Sequence, residues 1–230
     1  MVQRYQTQTV HRSYSGEYEQ NSVLRNTLIL LSLSTLFAAC TAYLSFLNPR
    51  VAASFGFFGT TVMYFGLLFC IQAYRNSSLG IAFVFALTGF LGYTLGPLLH
   101  VVFHQIGNGP QIIATSFLGT GMIFGGLAVY ATNSKTDFNY LAGFLTIGSL
   151  TLFALSILNI LFFQMPMMNL FVASGILMVS SGWLLFELSA LIHRGERNYI
   201  LATVSLFVQL YNIFISLIQI LSALSSSRDR

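Results

Sequence analysis

Residues 180–221 read SSGWLLFELSALIHRGERNYILATVSLFVQLYNIFISLIQIL, two apolar runs joined by the short charged stretch HRGERN. Each run belongs to a segment of about 20 or more predominantly apolar residues, the length that a helix needs to cross a hydrocarbon core about 30 Å thick. One acidic residue, Glu187, interrupts the first run. Because a charge at the membrane centre costs about 2.5–3.5 kcal/mol on insertion scales, such a residue is a candidate for function.

Apolar runs of this kind fill almost the whole chain. The protein has 230 residues, of which 55% are hydrophobic and 7% charged, whereas a soluble domain carries about 25% charged residues. The sequence predicts seven spans, at residues 24–46, 51–73, 79–103, 111–132, 140–162, 168–192 and 199–223. The connections are too short for a soluble domain. The predicted fold class is therefore all-α, a polytopic membrane protein with seven transmembrane helices.

The two ends of the chain differ from its apolar body. Residues 1–22 are rich in Gln, Ser, Thr and Tyr and have no apolar core. We therefore expect a disordered N-terminal arm and not a secretory signal peptide. Residues 23–223 form the predicted transmembrane domain, and residues 224–230 a short C-terminal tail.

The placement of Lys and Arg predicts the orientation, because basic loops tend to remain cytoplasmic. With the N-terminus inside, the cytoplasmic segments carry seven of the ten basic residues. We therefore expect a cytoplasmic N-terminus and, after seven crossings, a C-terminus on the outer side. The net charge of +4 reflects this bias. Since no aromatic-basic patch accompanies it, the sequence predicts no nucleic-acid partner.

Small residues predict where the helices pack closely, because membrane helices associate through such positions. The third span carries Gly89, Gly92 and Gly96 on one face, and the fourth carries Gly121 and Gly125 at GxxxG spacing. Pro97 removes a backbone donor from the third span. Close packing is the favoured interpretation, and the alternative makes Gly96 and Pro97 a candidate hinge.

His100 and His104 lie one helical turn apart, which is a metal-ligand spacing. No carboxylate or thiol lies nearby in sequence, so we interpret them as interfacial polar residues and predict no metal site or cofactor. Cys40 and Cys70 fall near opposite ends of their spans, too far apart for a disulfide. Both are interpreted as small packing residues.

The last span carries a polar stripe that could face Glu187. Its members recur at offsets of 0, 4, 7, 11 and 14 residues, which is one face of a helix: Ser205, Gln209, Asn212, Ser216 and Gln219. Ser180 lies seven residues before Glu187, on the same face of the sixth span. A helix with such a stripe is expected in the middle of the bundle. The stripe is interpreted either as interhelical hydrogen bonding or, with Glu187, as a proton- or cation-responsive site.

Two longer segments, FALTGFLGYTLGPLL at 85–99 and the quoted 180–221, resemble the Bax inhibitor-1 family of seven-span membrane proteins, in its bacterial YccA-like branch. VLRNTLILLSLS at the start of the first span is similar as well. The resemblance covers residues 23–223 and implies six helices around a central seventh. It also implies a multi-pass protein of the bacterial inner membrane, with a periplasmic C-terminus.

The resemblance also implies site residues. In the wider family the sixth and seventh helices each contribute an aspartate to a pair that senses pH and gates a calcium leak. The matching positions here are Glu187 and Gln209, so one acid of the pair is an amide and two acids sharing a proton cannot form. A basic latch residue near the end of the second helix has Arg75 as its candidate here.

Three hypotheses follow. The branch implies a modulator, and slow substrate, of the membrane protease FtsH with its HflK/HflC partners, which would engage the N-terminal arm. The alternative is a pH-sensitive calcium or cation leak channel in which Glu187 titrates, with Ca²⁺ as the transported ion. The third is a structural membrane protein whose polar core only specifies the fold. None is an enzyme, because the sequence has no P-loop, no dinucleotide fingerprint and only one acid within a span.

Overall fold

The computed structural model describes residues 2–50, 54, 56–134, 136–194 and 198–228, with side chains for these ranges apart from 2–20, 57, 163 and 226–228. All regular secondary structure in these residues is helical, and they contain no strand. Its seven long helices are α1 (Val2–Leu47), α2 (Gly56–Ala73), α3 (Ser78–Gln105), α4 (Gly109–Asn133), α5 (Leu141–Leu158), α6 (Pro166–His193) and α7 (Tyr199–Arg228). A 3₁₀ turn at Phe138–Tyr140 precedes α5, and a π-helical turn at Asn159–Phe163 ends it.

Six of these helices contain segments long and apolar enough to cross a membrane: Asn21–Leu47, Ser78–Gln105, Gly109–Asn133, Phe138–Phe162, Pro166–His193 and Tyr199–Ser225. The apolar part of α2, Phe58–Ala73, is shorter and reaches about 24 Å at 1.5 Å per residue. The predicted polytopic all-α fold is confirmed, with each segment within a few residues of its predicted span. The exception is α2, which was predicted from residue 51; residues 51–53 and 55 lie outside the described part of the chain.

The N-terminal segment differs from its expected conformation. We expected residues 1–22 to be disordered, but α1 continues as helix from its membrane span back to Val2. Helix propagation from a preformed segment costs less than nucleation, and Gln, Glu and Arg in this stretch have fair helix propensity. The division into arm, transmembrane domain and tail stays a prediction.

The last helix, α7, occupies the middle of the bundle. It packs against α1, α2, α3, α4 and α6, while α5 packs on the outside against α6. No residue from Tyr199 to Ile218 is exposed, and six residues near the start of α7 are buried: Ile200, Ala202, Thr203, Val204, Leu206 and Phe207. The arrangement that the resemblance implied is therefore modified: five helices contact α7 directly, and the sixth, α5, packs on α6 and not on α7.

Glycines bring α3 against α1. A Cβ added at Gly92 would lie 2.2 Å from the carbonyl oxygen of Ala38, and one added at Gly96 would lie 2.4 Å from Cβ of Ser45. Only hydrogen fits at these positions, so the prediction of close packing along this face is confirmed. α3 continues as one helix through Pro97, and its role as a hinge stays a prediction.

The second glycine pair behaves differently. Nothing lies within 4 Å of a Cβ added at Gly121 or Gly125, so the prediction that this GxxxG pair packs tightly is wrong within the single chain. α4 meets α7 through another face, where a Cβ added at Gly119 would lie 3.1 Å from Cδ1 of Leu217. Gly175 and Gly182 of α6 make the close contacts instead, against Leu152 and Leu145 of α5.

Candidate functional site

The connection between α6 and α7 lies at one end of the bundle, which we call the N-face because α1 begins its span there; the opposite end is the C-face. Asn198 ties this connection together. Its side-chain oxygen accepts from the backbone N–H groups of Ile200 and Leu201 at 3.1 Å, capping α7. Its amide nitrogen donates to the carbonyl oxygen of Arg75 at 3.0 Å and to Oδ1 of Asn76 at 3.1 Å. The start of the central helix is thereby fixed to the α2–α3 connection.

Arg194 makes the second link at the N-face, between α6 and the segment before α5. Its guanidinium donates to Oδ1 of Asn139 at 2.8 Å and lies 3.6 Å from a carboxylate oxygen of Asp137. It also donates to the carbonyl oxygen of Phe186 at 3.3 Å and lies 4.2 Å from the centre of that ring. A cation at this position also complements the negative end of the α6 dipole.

Glu187 lies on the side of α6 that faces the core. Ser180, Leu184, Leu188 and Leu191 lie on one face of α6 and are buried, at 0 to 3% exposure. Glu187 lies beside this face, and its side chain is half-buried. Leu184, Leu188 and Leu191 belong to the same apolar cluster as the first turns of α7. The carboxylate therefore projects from the α6 surface that packs against the central helix.

The predicted polar stripe of α7 is only partly in the core. Ser216 is buried at 2% exposure, whereas Ser205, Gln209 and Asn212 are half-buried and Gln219 is exposed. The expectation that the whole stripe faces a polar centre is wrong at Gln219, because α7 is covered at this level on the side of Ile218, which packs against Val102 and Ile112, and is open on the side of Gln219.

Helix register relates Glu187 to this stripe. α6 ends at His193 and α7 begins at Tyr199, so Glu187 and Ser205, each six residues from the connection, lie at about the same depth, roughly 9 Å from it. Side chains tilt towards the N-terminus of their own helix, so that Glu187 leans deeper into the bundle and Gln209 leans back towards it. Direct contact between the Glu187 carboxylate and the Gln209 amide stays a prediction.

Ser180 is likewise level with the stripe. It lies 13 residues before His193, and Asn212 lies 13 residues after Tyr199, which places both at about 20 Å from the connection at 1.5 Å per residue. The backbone thus brings the predicted residues of α6 and α7 to two matching depths.

α7 is also held by polar contacts that the sequence analysis did not identify. The hydroxyls of Tyr211 and Thr94 are 3.0 Å apart, joining α7 to α3. The buried Thr203 hydroxyl donates to the carbonyl oxygens of Tyr199 at 2.7 Å and Thr27 at 3.3 Å, the latter on α1. Isolated Thr and Tyr residues within apolar spans carry no pattern that separates them from residues facing lipid.

The candidate latch and hinge residues lie apart from this polar core. Arg75 has an exposed side chain, and its described contact is through the backbone carbonyl that Asn198 binds. Gly96 lies against Ser45 in the half of the bundle nearer the C-face. The structure therefore does not bring Arg75 or Gly96 together with Glu187.

The histidine pair lies at the C-face with Phe46. Nδ1 of His100 is 3.0 Å from the carbonyl oxygen of Phe46, and Nδ1 of His104 is 3.0 Å from that of His100. The Phe46 ring stacks on His104 at 5.6 Å between centroids. Among the described residues no group of three or more His, Cys, Asp or Glu side chains could hold a metal ion. Cys40 and Cys70 are both free thiols.

These features define a class: an integral membrane protein built as a helical bundle around a partly polar central helix. The family described as "Inhibitor of apoptosis-promoting Bax1" matches residues 20–227. The chain belongs to this family, the Bax inhibitor-1 family, as the resemblance of its motifs indicated.

Named relatives extend this result over nearly the whole chain. The chain is 42% identical over 209 residues to "Modulator of FtsH protease YccA" of Escherichia coli K12, covering 91% of this chain and 92% of the relative. An "Inner membrane protein YccA" from Escherichia coli O6:H1 matches to the same extent. The "Uncharacterized protein PA2604" of Pseudomonas aeruginosa is 40% identical over 222 residues, covering 95% of each chain.

Proposed function

We propose that this protein is a non-enzymatic modulator of the FtsH protease in a bacterial inner membrane. One observation carries the proposal: the 42% identity, across 91% of the chain, to a protein named as a modulator of FtsH. The inner-membrane location is supported by the second relative of that name, which is called an inner membrane protein. HflK and HflC, the partners that the family resemblance implies, belong to the same proposal.

The first helix supplies a plausible site of engagement for such a protease. The membrane span of α1 begins at Asn21, while the helix begins at Val2, so about 19 residues, or roughly 28 Å of helix, precede the span. In the proposed orientation, with the N-terminus in the cytoplasm and the C-terminus in the periplasm, this segment lies on the cytoplasmic side. The excess of Lys and Arg in the N-face segments supports that orientation.

Co-purification tests the partner. The full-length chain, carrying its affinity tag at the C-terminus, is extracted in mild detergent, and FtsH, HflK and HflC are quantified in the eluate. We expect all three to be recovered in excess over a control with an unrelated seven-span protein. Failure to recover FtsH would refute the proposal.

A second experiment tests modulation itself. Proteoliposomes containing FtsH and a membrane substrate are assayed with and without this chain, and with a chain lacking residues 2–20. Because a slowly degraded substrate occupies the protease, the full-length chain should slow degradation of the second substrate. The shortened chain should restore its rate, and an unchanged rate with the full-length chain would contradict modulation.

A second candidate function rests on Glu187. A half-buried carboxylate on the core side of a membrane helix is a functional candidate by default. Ser205 lies at its depth and Gln209 one turn deeper, which favours a hydrogen bond that depends on protonation. On this proposal the protein passes Ca²⁺ or another cation in a pH-dependent way. A single carboxylate is a sparse ligand set for calcium, so the proposed flux is a weak leak.

Liposome flux measurements separate the two functions. Calcium entry is followed at pH 6 and pH 8 for the wild type, for Glu187→Gln and for the control Asp137→Asn, whose carboxylate is half exposed at 48% and lies outside the spans. The channel proposal expects a pH-dependent flux that Glu187→Gln abolishes and Asp137→Asn retains. If Glu187→Gln leaves the flux and its pH dependence unchanged, the carboxylate is not the gate.

A further inference from the structure

A lateral cavity of about 660 Å³ opens on the side of the bundle, away from the polar core. α1 and α4 flank it, while α3 and α7 form its floor, with residues such as Ala39, Phe46, Leu99, Gly121 and Phe214 in its walls. Each flanking helix packs on α3 and on α7. The cavity therefore opens between α1 and α4 towards the surrounding hydrocarbon.

The cavity walls leave almost no hydrogen-bonding capacity for a polar ligand. The hydroxyl of Thr35 donates to the carbonyl oxygen of Leu31 at 2.8 Å, and that of Thr120 to Ser116 at 2.8 Å. The Tyr211 hydroxyl pairs with that of Thr94, and the fourth hydroxyl of the lining, on Tyr43, belongs to a side chain that is 63% exposed. Apolar cavities with satisfied walls take apolar occupants and not water, so the occupant is a hydrocarbon group.

The length of the cavity matches one leaflet of a bilayer. Along α1 the lining runs from Thr35 to Phe46 and along α4 from Ile113 to Phe124, in each case about 16 Å of helix at 1.5 Å per residue. Half of a hydrocarbon core is about 15 Å. The cavity thus spans the depth that the acyl chains of one leaflet occupy.

One end of the cavity lies at the C-face, where the chain carries a cation. Phe46, which lines the cavity, contacts the rings of His100 and His104 at the C-face. Arg50, whose side chain is exposed, follows three residues after the end of α1 at Leu47. The acidic residues with described side chains, Asp137 and Glu187, belong to the N-face half. A group bound in the cavity with its polar end at the C-face would therefore meet the positive charge of Arg50, which suits a phosphate.

We propose that this cavity binds one acyl chain of an anionic phospholipid, whose headgroup phosphate lies at the C-face near Arg50. The other chain of that lipid remains in the bilayer. This site is independent of the proposed function and of the orientation of the chain in the membrane.

Two glycines of α4 offer a matched pair of test variants. Neither Gly121 nor Gly125 has an atom within 4 Å of its added Cβ, so both Gly121→Leu and Gly125→Leu should fold. Gly121 lines the cavity and Gly125 does not. Only Gly121→Leu should fill the space meant for the acyl chain.

The full-length chain and both variants are incubated with phosphatidylglycerol in detergent, and bound lipid is counted by native mass spectrometry through graded delipidation. We expect one tightly held lipid per chain for the wild type and Gly125→Leu, and at least a tenfold weaker association for Gly121→Leu, about 1.4 kcal/mol. Arg50→Gln should narrow the preference for phosphatidylglycerol over phosphatidylcholine. Glycerophosphoglycerol, which has no acyl chain, should not compete.

Three results would overturn the proposal. One is no retained lipid in the wild type, which would leave the cavity to another occupant, such as a partner protein. Another is equal retention by Gly121→Leu and Gly125→Leu. The third is displacement of the lipid by glycerophosphoglycerol, which would place recognition in the headgroup alone.

Discussion

The Gly92→Ala substitution tests how closely α1 and α3 pack. A Cβ at position 92 would lie 2.2 Å from the carbonyl oxygen and 2.7 Å from Cα of Ala38. Both are backbone atoms, so no side-chain rotation relieves the overlap. Ordinary contact begins near 3.4 Å, and the two helices must therefore separate locally by about 1.2 Å. A gap of about 0.5–1 Å already forfeits a quarter to a half of the dispersion energy of the atoms that it parts.

The magnitude follows from a comparison with Gly125→Ala. Both substitutions gain about 1 kcal/mol of helix propensity, but Gly125 has open space around its added Cβ. Overpacking costs about 1–3 kcal/mol, so Gly92→Ala should be less stable than Gly125→Ala by that amount. For a chain of about 230 residues this lowers the melting temperature by roughly 2–4 °C for each kcal/mol.

The assay is thermal unfolding in mild detergent, followed by the fluorescence of Trp183, the single tryptophan. Trp183 donates to the Ser149 hydroxyl at 2.9 Å and packs edge-on to Phe186, so its emission reports the packing of α5 on α6. Equal melting temperatures for the two alanine variants would refute the close approach of α1 and α3.

Three other substitutions test the contacts that hold the central helix and the N-face. Asn198→Ala removes the cap of α7, which alone should cost about 0.5–2 kcal/mol, and with it the two bonds that the amide donates to Arg75 and Asn76; an unchanged melting temperature would argue against these contacts. Arg194→Gln removes the ion pair with the half-exposed Asp137, worth about 0–1 kcal/mol, and the contact with the Phe186 ring, worth about 0.5–1 kcal/mol, so thermal unfolding should show a loss of about 1–2 kcal/mol and no change would contradict these contacts. Tyr211→Phe removes only the hydrogen bond to Thr94 and should cost about 0.6 kcal/mol; the control Tyr211→Ala also empties part of the core and should cost several times more, about 3–5 kcal/mol.

Much of the fold was predictable because the membrane requires it. A backbone surrounded by hydrocarbon must satisfy its own hydrogen bonds, so each apolar run of sufficient length becomes a helix. The glycine face of α3 was predictable for a related reason, since three glycines at helical spacing permit a close approach. The same reasoning failed for Gly121 and Gly125, because spacing shows that a partner can approach and not whether one is there.

The candidate site was predictable in its members but not in its geometry. Glu187 stands out because it is the acid within an apolar run, and the polar residues of α7 stand out by their helical period. Neither of these sequence patterns predicts how deeply each side chain is buried. Gln219 is exposed and Ser216 buried, although both continue the same stripe, because the enclosing helices differ along α7. Asn198, by contrast, has the position of a helix cap and could have been identified from sequence.

The sequence by itself determined the seven apolar helices, the family and the identity of the one acid within a span. Those properties depend on local composition and spacing, which the bilayer converts directly into helices. The polar stripe also predicted that α7 lies inside the others, whereas only the tertiary structure decided that α5 lies outside and that a cavity one leaflet long opens between α1 and α4. These features depend on which faces of different helices meet, and lipid-facing and helix-facing apolar side chains look alike in sequence because lipid is as apolar as leucine.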